Sequence, residues 1–252
     1  MNDATLPLRG KLALVTGGAG GIGSAICRLL AHQGAQLLIT YHQRADRAEA
    51  LVAELPGPGH AALKLSVRDK ADIDRAAQAV SASHGRLDIL VNNAGTTRVV
   101  PHTDLDALDD ALIDEIFATN WRGAFGMVRA FRPLLDAAGD AVVVNLSSIA
   151  GTTAVGSNIA YCASKAALDN MTKSLARALA PKIRVVSVAP GWVMGEYARS
   201  ADPAYLQRQR DLTPLGRIAE ADDVARAVYA AVTLLGFTNG AIIPVDGGRP
   251  LN

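Results

Sequence analysis

The 252-residue chain contains only two cysteines, Cys27 and Cys162, too few for a disulfide framework. Reduced thiols are expected, with Cys162 a small packed residue. Aromatic residues make up 4% and charged residues 19%, and 25 Lys plus Arg nearly cancel 24 Asp plus Glu to leave a formal charge of +1. That balance leaves no broad electrostatic footprint for nucleic acid or an anionic membrane, and neither is expected as a partner. Long apolar runs are missing too: none approaches the roughly 20 residues of a membrane helix. The segment Met1 to Gly10 lacks the basic, apolar and small-residue pattern of a secretory signal, which predicts a cytoplasmic protein. Five histidines, His32, His42, His60, His84 and His102, are scattered without metal-ligand spacing, so no metal site is expected.

What is present is a regular alternation. Leu12 to Thr16, Gln36 to Tyr41, Ala61 to Ser66, Ile89 to Asn92, Ala141 to Leu146, Arg184 to Ala189 and Ala241 to Val245 read as strands, with helix-length amphipathic segments between them. Successive βαβ units imply one α/β, doubly wound domain over 1–252, its central parallel sheet flanked by helices. No linker or repeat divides the chain. Trp192 to Leu215 lacks a strand pattern and follows Pro190-Gly191 at a strand's carboxyl end, where open α/β sheets bind ligands. It is therefore the expected substrate loop, near 192–215.

Two motifs carry chemistry. Thr16-Gly17-Gly18-Ala19-Gly20-Gly21-Ile22-Gly23 joins the first strand to the first helix. Its glycines permit a tight turn and close backbone approach, while helix N–H groups attract a pyrophosphate. Far downstream, Tyr161 and Lys165 share a helix face. An ammonium about 4 Å from the phenol contributes up to about 4 kcal/mol at an effective dielectric near 20, a lowering of about three pKa units that would suit Tyr161 for general acid/base work.

Together these motifs resemble the short-chain dehydrogenase/reductase family over essentially the whole chain. Asn92-Asn93-Ala94-Gly95, Asn120, Ser147-Ser148, Pro190-Gly191 and Val245-Asp246-Gly247-Gly248 extend the match in order. The resemblance implies a Rossmann-type fold and a catalytic set of Asn120, Ser148, Tyr161 and Lys165. Ser148 would hold the substrate oxygen, with Ser147 the adjacent alternative. Lys165 would also hold the nicotinamide ribose, and Asn120 a water that resupplies protons. For the cofactor it implies Gly17, Gly21, Ile22, Gly23, Asn93, Ala94, Gly95, Pro190, Gly191 and Val193, beside Tyr161 and Lys165.

Cofactor preference is read after the second strand, where an acidic residue favours NAD(H) and a basic one NADP(H). Tyr41 stands at the acidic position, followed by His42 and by Arg44, a candidate phosphate contact. NADP(H) is preferred and NAD(H) remains open, since Arg44 is equally a solvated helix-start charge and Ala19-Gly20 lacks the basic residue of many NADP-preferring relatives. Ser66 replaces the Asp that commonly contacts adenine, leaving Val67 and the Ser66 hydroxyl. Gly195 replaces a common Thr. In the loop, Glu196, Tyr197, Arg199, Tyr205, Arg208 and Arg210 either greet an anionic substrate or face water, and Trp192 either lines an apolar pocket or packs.

The expectation is an NADPH-dependent reductase of a ketone to a secondary alcohol, most similar to the 3-oxoacyl-acyl-carrier-protein reductase branch, on a small carbonyl or alcohol substrate, free or carrier-bound. The alternatives are an NAD-dependent sugar, polyol or hydroxysteroid dehydrogenase and a nicotinamide-binding sensor without turnover. Family members commonly form homotetramers, and Phe117, Trp121, Phe125 and Val128 offer an apolar helix face for one.

Overall fold

Near-continuous runs of Val, Leu and Ile suit strands covered on both sides, and Leu12–Val15, Ile89–Asn92 and Ala141–Leu146 are buried along their whole length. The computed structural model describes residues 6–195 and 202–251. Strands β1 (Leu12–Val15), β2 (Gln36–Tyr41), β3 (Ala61–Lys64), β4 (Ile89–Asn92), β5 (Ala141–Leu146), β6 (Ile183–Pro190) and β9 (Ile242–Val245) form one sheet. All its neighbours are parallel, in the order β3-β2-β1-β4-β5-β6-β9. The order reverses beside β1, so the connections leaving the carboxyl ends of β1 and β4 run to opposite faces of the sheet and open the crevice where ligands bind in such sheets.

The helices are α1 (Gly21–His32), α2 (Ala45–Glu54), α3 (Lys70–His84), α4 (Asp110–Phe117), α5 (Ala124–Ala138), α6 (Ala150–Thr153), α7 (Ile159–Leu179), α8 (Pro203–Asp211) and α9 (Ala221–Thr233). Alternation within the strands sends side chains to two cores. Ala13, Val15, Ile39, Val91 and Val144 pack against α1, α2 and α9, whereas Leu14, Leu38, Leu90 and Val143 pack against α3 and α5. Side chains two residues apart share a face, so each strand serves both layers.

Local chemistry sets the helix ends. Asp69 caps α3 by accepting from Ala71 N–H, and Gly85 ends it in the left-handed region at φ +71°. Asn158 caps α7 by accepting from Tyr161 N–H.

The expected irregular stretch after β6 is partly regular. Val193–Met194 (β7) pairs in parallel with Ala219–Glu220 (β8), and α8 occupies 203–211. Two-residue strands carry no period to read, and their pairing is supplied by chain more than twenty residues away. Glu196, Tyr197 and Arg199 lie outside the described residues. Val128 is 2% exposed in the core, so it leaves the expected association face. Trp121 and Phe125 remain half-buried there, stacked with centroids 6.0 Å apart. Among the described residues, no helix is long and apolar enough to cross a membrane.

Candidate active site

Where β1 ends, Thr16 ties its loop to the end of β4. Its hydroxyl donates to Val91 O at 3.3 Å and accepts the N–H groups of Asn93 and Ala94, each at 3.0 Å. The Asn93 amide in turn donates to Thr16 O at 2.9 Å and Gly17 O at 3.1 Å. Gly17 N–H donates to Thr40 Oγ1 at 3.2 Å, which anchors the loop to β2. A Cβ on Gly23 would lie 2.5 Å from Gly17 O and 2.7 Å from Asn93 Nδ2, whereas one on Gly21 would meet nothing within 4 Å. Gly23 thus permits close packing of helix on loop, and Gly21 keeps an open approach to the backbone. No side chain caps α1, so its first-turn N–H groups and positive dipole end are offered to an anion.

The loop forms one wall of a cleft of about 600 Å³. Gly17, Gly21, Ile22 and Gly23 line its centre, with Tyr41, His42, Ser66 and Val67 beyond β2 and β3. Asn93, Ala94, Gly95 and Val193 line it beyond β4 and β6. An elongated cleft with an uncapped helix N-terminus at its middle fits a dinucleotide.

Arg44 is not among the lining residues. Its guanidinium sits on Asp46, at 3.3–3.4 Å, because both begin α2 at the surface. The arginines lining the cleft are Arg47 and Arg68, the latter paired with Glu115 at 3.0 Å. Arg47 is one helical turn beyond Arg44, a spacing that marks it once the start of α2 is known. Pro190 and Gly191 are likewise not in the lining: Pro190 O accepts from Ile149 N–H at 3.0 Å, and Gly191 N–H donates to Val245 O at 3.0 Å. They brace the end of β6. Trp192 meets Tyr205 edge-on at 5.8 Å and lines a separate cavity of about 310 Å³ with Leu215 and Val245.

Asn120, Ser148, Tyr161 and Lys165 come from three separate places: the π-turn, the segment after β5, and α7, which carries both Tyr161 and Lys165. A π-helical turn, Ala118–Gly123, separates α4 from α5 and carries Asn120, a distortion common at functional sites. The Asn120 Oδ1 accepts Thr96 N–H at 2.8 Å, and its Nδ2 donates to Thr96 O and Ser164 Oγ, both at 3.1 Å. Both amide hydrogens are therefore used, and a water at Asn120 must take an oxygen lone pair. Ser148 Oγ accepts Ala150 N–H at 3.2 Å and donates to Pro190 O at 3.5 Å, and its hydroxyl is near enough to the Tyr161 phenol to lower the phenol's pKa. Ser147 instead is buried with its hydroxyl on Lys165 O at 3.4 Å, which separates the two candidates.

Lys165 is 6% exposed. Its Nζ donates to Leu146 O at 2.7 Å and lies 5.6 Å from the Tyr161 ring centroid. Burial pulls its pKa down to about 8, opposed by the Asp169 carboxylate. The Tyr161 phenol departs from expectation: burial raises its pKa, only partly offset by the Ser148 hydroxyl. Loss of water disfavours phenolate, and the ammonium is aimed at a carbonyl rather than at the hydroxyl. Tyr161 is a protonated acid at neutral pH. Burial likewise raises the Cys162 thiol, as expected for a packed cysteine. Among the described residues no cluster could hold a metal ion.

A family profile described as Enoyl-(Acyl carrier protein) reductase matches residues 17–249. D-threitol dehydrogenase of Mycolicibacterium smegmatis is 38% identical over 98% of this chain and 95% of its own. The 3-oxoacyl-acyl-carrier-protein reductase of Staphylococcus aureus is 31% identical over 94% of this chain and 97% of its own. A solved short-chain dehydrogenase/reductase of Serratia marcescens superposes with a TM-score of 0.87 at 34% identity, covering 96% of this chain and 99% of that one. With the same fold and similarity over nearly its full length, the chain belongs to the short-chain dehydrogenase/reductase family of NAD(P)-dependent oxidoreductases.

Proposed function

We propose that this oxidoreductase uses NADPH to reduce a ketone to a secondary alcohol. The observation that carries the reading is the convergence of Ser148, Tyr161 and Lys165, with the Ser148 hydroxyl beside a buried, protonated phenol and the Lys165 ammonium 5.6 Å from its ring centroid. The nicotinamide supplies the hydride. Ser148 steadies the substrate oxygen, Tyr161 delivers its hydroxyl proton to that oxygen, and Lys165 stabilises the phenolate left behind. Asn120 holds the Thr96 backbone beside Lys165, so the site keeps its shape between turnovers. Gly17, Gly21, Ile22 and Gly23 would hold the pyrophosphate, with Asn93, Ala94, Gly95 and Val193 around the nicotinamide half.

For NADPH over NADH the support is charge. No carboxylate stands at Tyr41, while His42, Arg47 and Arg68 line that end of the cleft. Arg47 takes the 2′-phosphate role first expected of Arg44. The substrate is a small ketone, free or carrier-bound, as the similarity to an acyl-carrier-protein reductase suggests. A second reading, NAD-dependent polyol oxidation, rests on the similarity to D-threitol dehydrogenase. We further propose a single domain with its substrate loop near 192–215, working as a cytoplasmic homotetramer. The stacked Trp121 and Phe125 face and the exposed Leu234 and Phe237 would be its contacts.

The test is nucleotide oxidation by NADPH and NADH against β-ketoacyl thioesters, diketones, sugars and steroids, with polyol oxidation by NADP⁺ and NAD⁺ in parallel. Ketone turnover with NADPH that Arg47→Glu shifts toward NADH is expected. Polyol oxidation with NAD⁺ alone would select the second reading.

A further inference from the structure

Asp169 lies one helical turn beyond Lys165 on α7 and is 6% exposed. Both its carboxyl oxygens are buried without a hydrogen-bond partner among the described residues. An isolated buried carboxylate is expensive to keep, and nothing in the catalytic arrangement above uses it.

Its surroundings offset part of that cost. Burial holds its pKa above the ordinary carboxylate value on balance, opposed in part by the Ser147 and Ser187 hydroxyls and by the Lys165 and Lys173 ammonium groups. Ser147 now makes only a 3.4 Å contact to Lys165 O, and Ser187 shares a 2.8 Å contact with Thr172 Oγ1. Neither serine oxygen stands in hydrogen-bond geometry with the carboxylate, so each acts on it as a nearby hydroxyl dipole that can rotate toward it.

Behind Ser187 runs a row of donors. Asn92, Asn145 and Ser187 are in register across β4, β5 and β6. Asn92 Nδ2 donates to Asn145 Oδ1 at 2.9 Å, and Asn145 Nδ2 donates to Thr172 Oγ1 at 2.8 Å. The Thr172 hydrogen is shared between Leu168 O at 3.0 Å and Ser187. With that hydrogen on Ser187, the Ser187 hydroxyl dipole is left to turn toward Asp169, and the row polarises toward the carboxylate.

The other end of the interaction is Lys165. Its one direct acceptor among the described residues is the neutral Leu146 carbonyl. The groups facing it are Tyr161 on its own helix, Asn120 from the π-turn, and the Gly95 backbone from the segment after β4. None is an anion while Tyr161 is protonated. Against Asp169, β6 and the end of β5 offer Ser187 and Ser147, α6 offers Gly151, and the cations are Lys165 and Lys173. We propose that Asp169 is a positioning residue for proton transfer: its carboxylate is the buried counter-charge that keeps Lys165 cationic beneath Tyr161. This rests on the reductase reading.

The pH dependence of kcat/KM for ketone reduction separates this role from a structural one. In the wild type, activity falls as Lys165 loses its proton. Asp169→Asn should move that alkaline limb about one unit toward acid, Asp169→Glu should restore it, and Ser187→Ala should move it the same way by less. A lower plateau with an unmoved limb would overturn the proposal, as would an unmoved limb in Ser187→Ala should Asp169→Asn fail to fold. Titration of the Lys165 ¹³Cε signal, assigned with Lys165→Met, gives a readout without turnover. If the wild type reduces no ketone, the reductase reading fails. The Lys165 midpoint then decides alone: a drop in Asp169→Asn supports the counter-charge, and an equal midpoint rejects it.

Discussion

Gly21 and Gly23 sit two residues apart in one motif yet answer to different constraints. A methyl on Gly23 collides with Gly17 O and Asn93 Nδ2, while one on Gly21 points into open space. Gly23→Ala should therefore cost about 1–3 kcal/mol of stability through overpacking. Gly21→Ala should leave the melting temperature near that of the wild type and weaken NADPH binding, because the methyl occupies the anion's approach. Thermal melts with and without NADPH distinguish the two. At Tyr161, replacement by Phe should lower ketone reduction about 1,000-fold with NADPH affinity retained, since the general acid is lost and the ring stays; stopped-flow turnover alongside fluorescence titration checks this. The burial-shifted Lys165 pKa of about 8 sets the sign of the pH dependence. Below it the ammonium is charged and reduction is supported; as pH rises through it, rate declines.

The helix that carries the chemistry is held at its start by one buried side chain. Asn158 is fully buried; its Oδ1 accepts Tyr161 N–H at 2.7 Å, and its Nδ2 donates to Arg98 O at 2.7 Å and Thr97 Oγ1 at 3.2 Å. Asn158 thus caps α7 and clamps the segment after β4 to it. Removing the cap and leaving those groups unpaired should cost about 2 kcal/mol, a fall of roughly 4–8 °C in melting temperature for a chain of this size. Asn158→Ala should also lower kcat more than it raises KM, because Tyr161 and not the binding surface is loosened. Elements of this kind were unevenly legible in the sequence. The seven sheet strands were, because a run such as Val142-Val143-Val144 suits no exposed conformation. The β7–β8 ribbon was not, because two residues carry no period. The π-turn around Asn120 was not, because its residues suit an α-helix equally well.

Across the whole molecule, the crevice lies at the carboxyl edge of the parallel sheet, where β1, β4 and their loops part. Cofactor bound there stabilises only the folded state. NADPH at 100 times its Kd should add about 2.7 kcal/mol, a rise of roughly 5–11 °C in melting temperature. A larger rise with NADH would overturn the cofactor preference and place Arg47 outside the phosphate's reach. The sequence by itself determined the sheet strands, the glycine loop, the Tyr161 and Lys165 pair and the family, because these rest on periodicity and short spacings that the chain carries locally. Tertiary structure alone decided that Arg47 and not Arg44 lines the cleft, that Ser148 and not Ser147 meets the phenol, and that burial raises the Tyr161 pKa. It also decided that Asp169 stands beside Lys165, unpaired among the described residues. Each of these depends on which groups lose water and on which neighbours arrive from distant segments, and no local pattern encodes either.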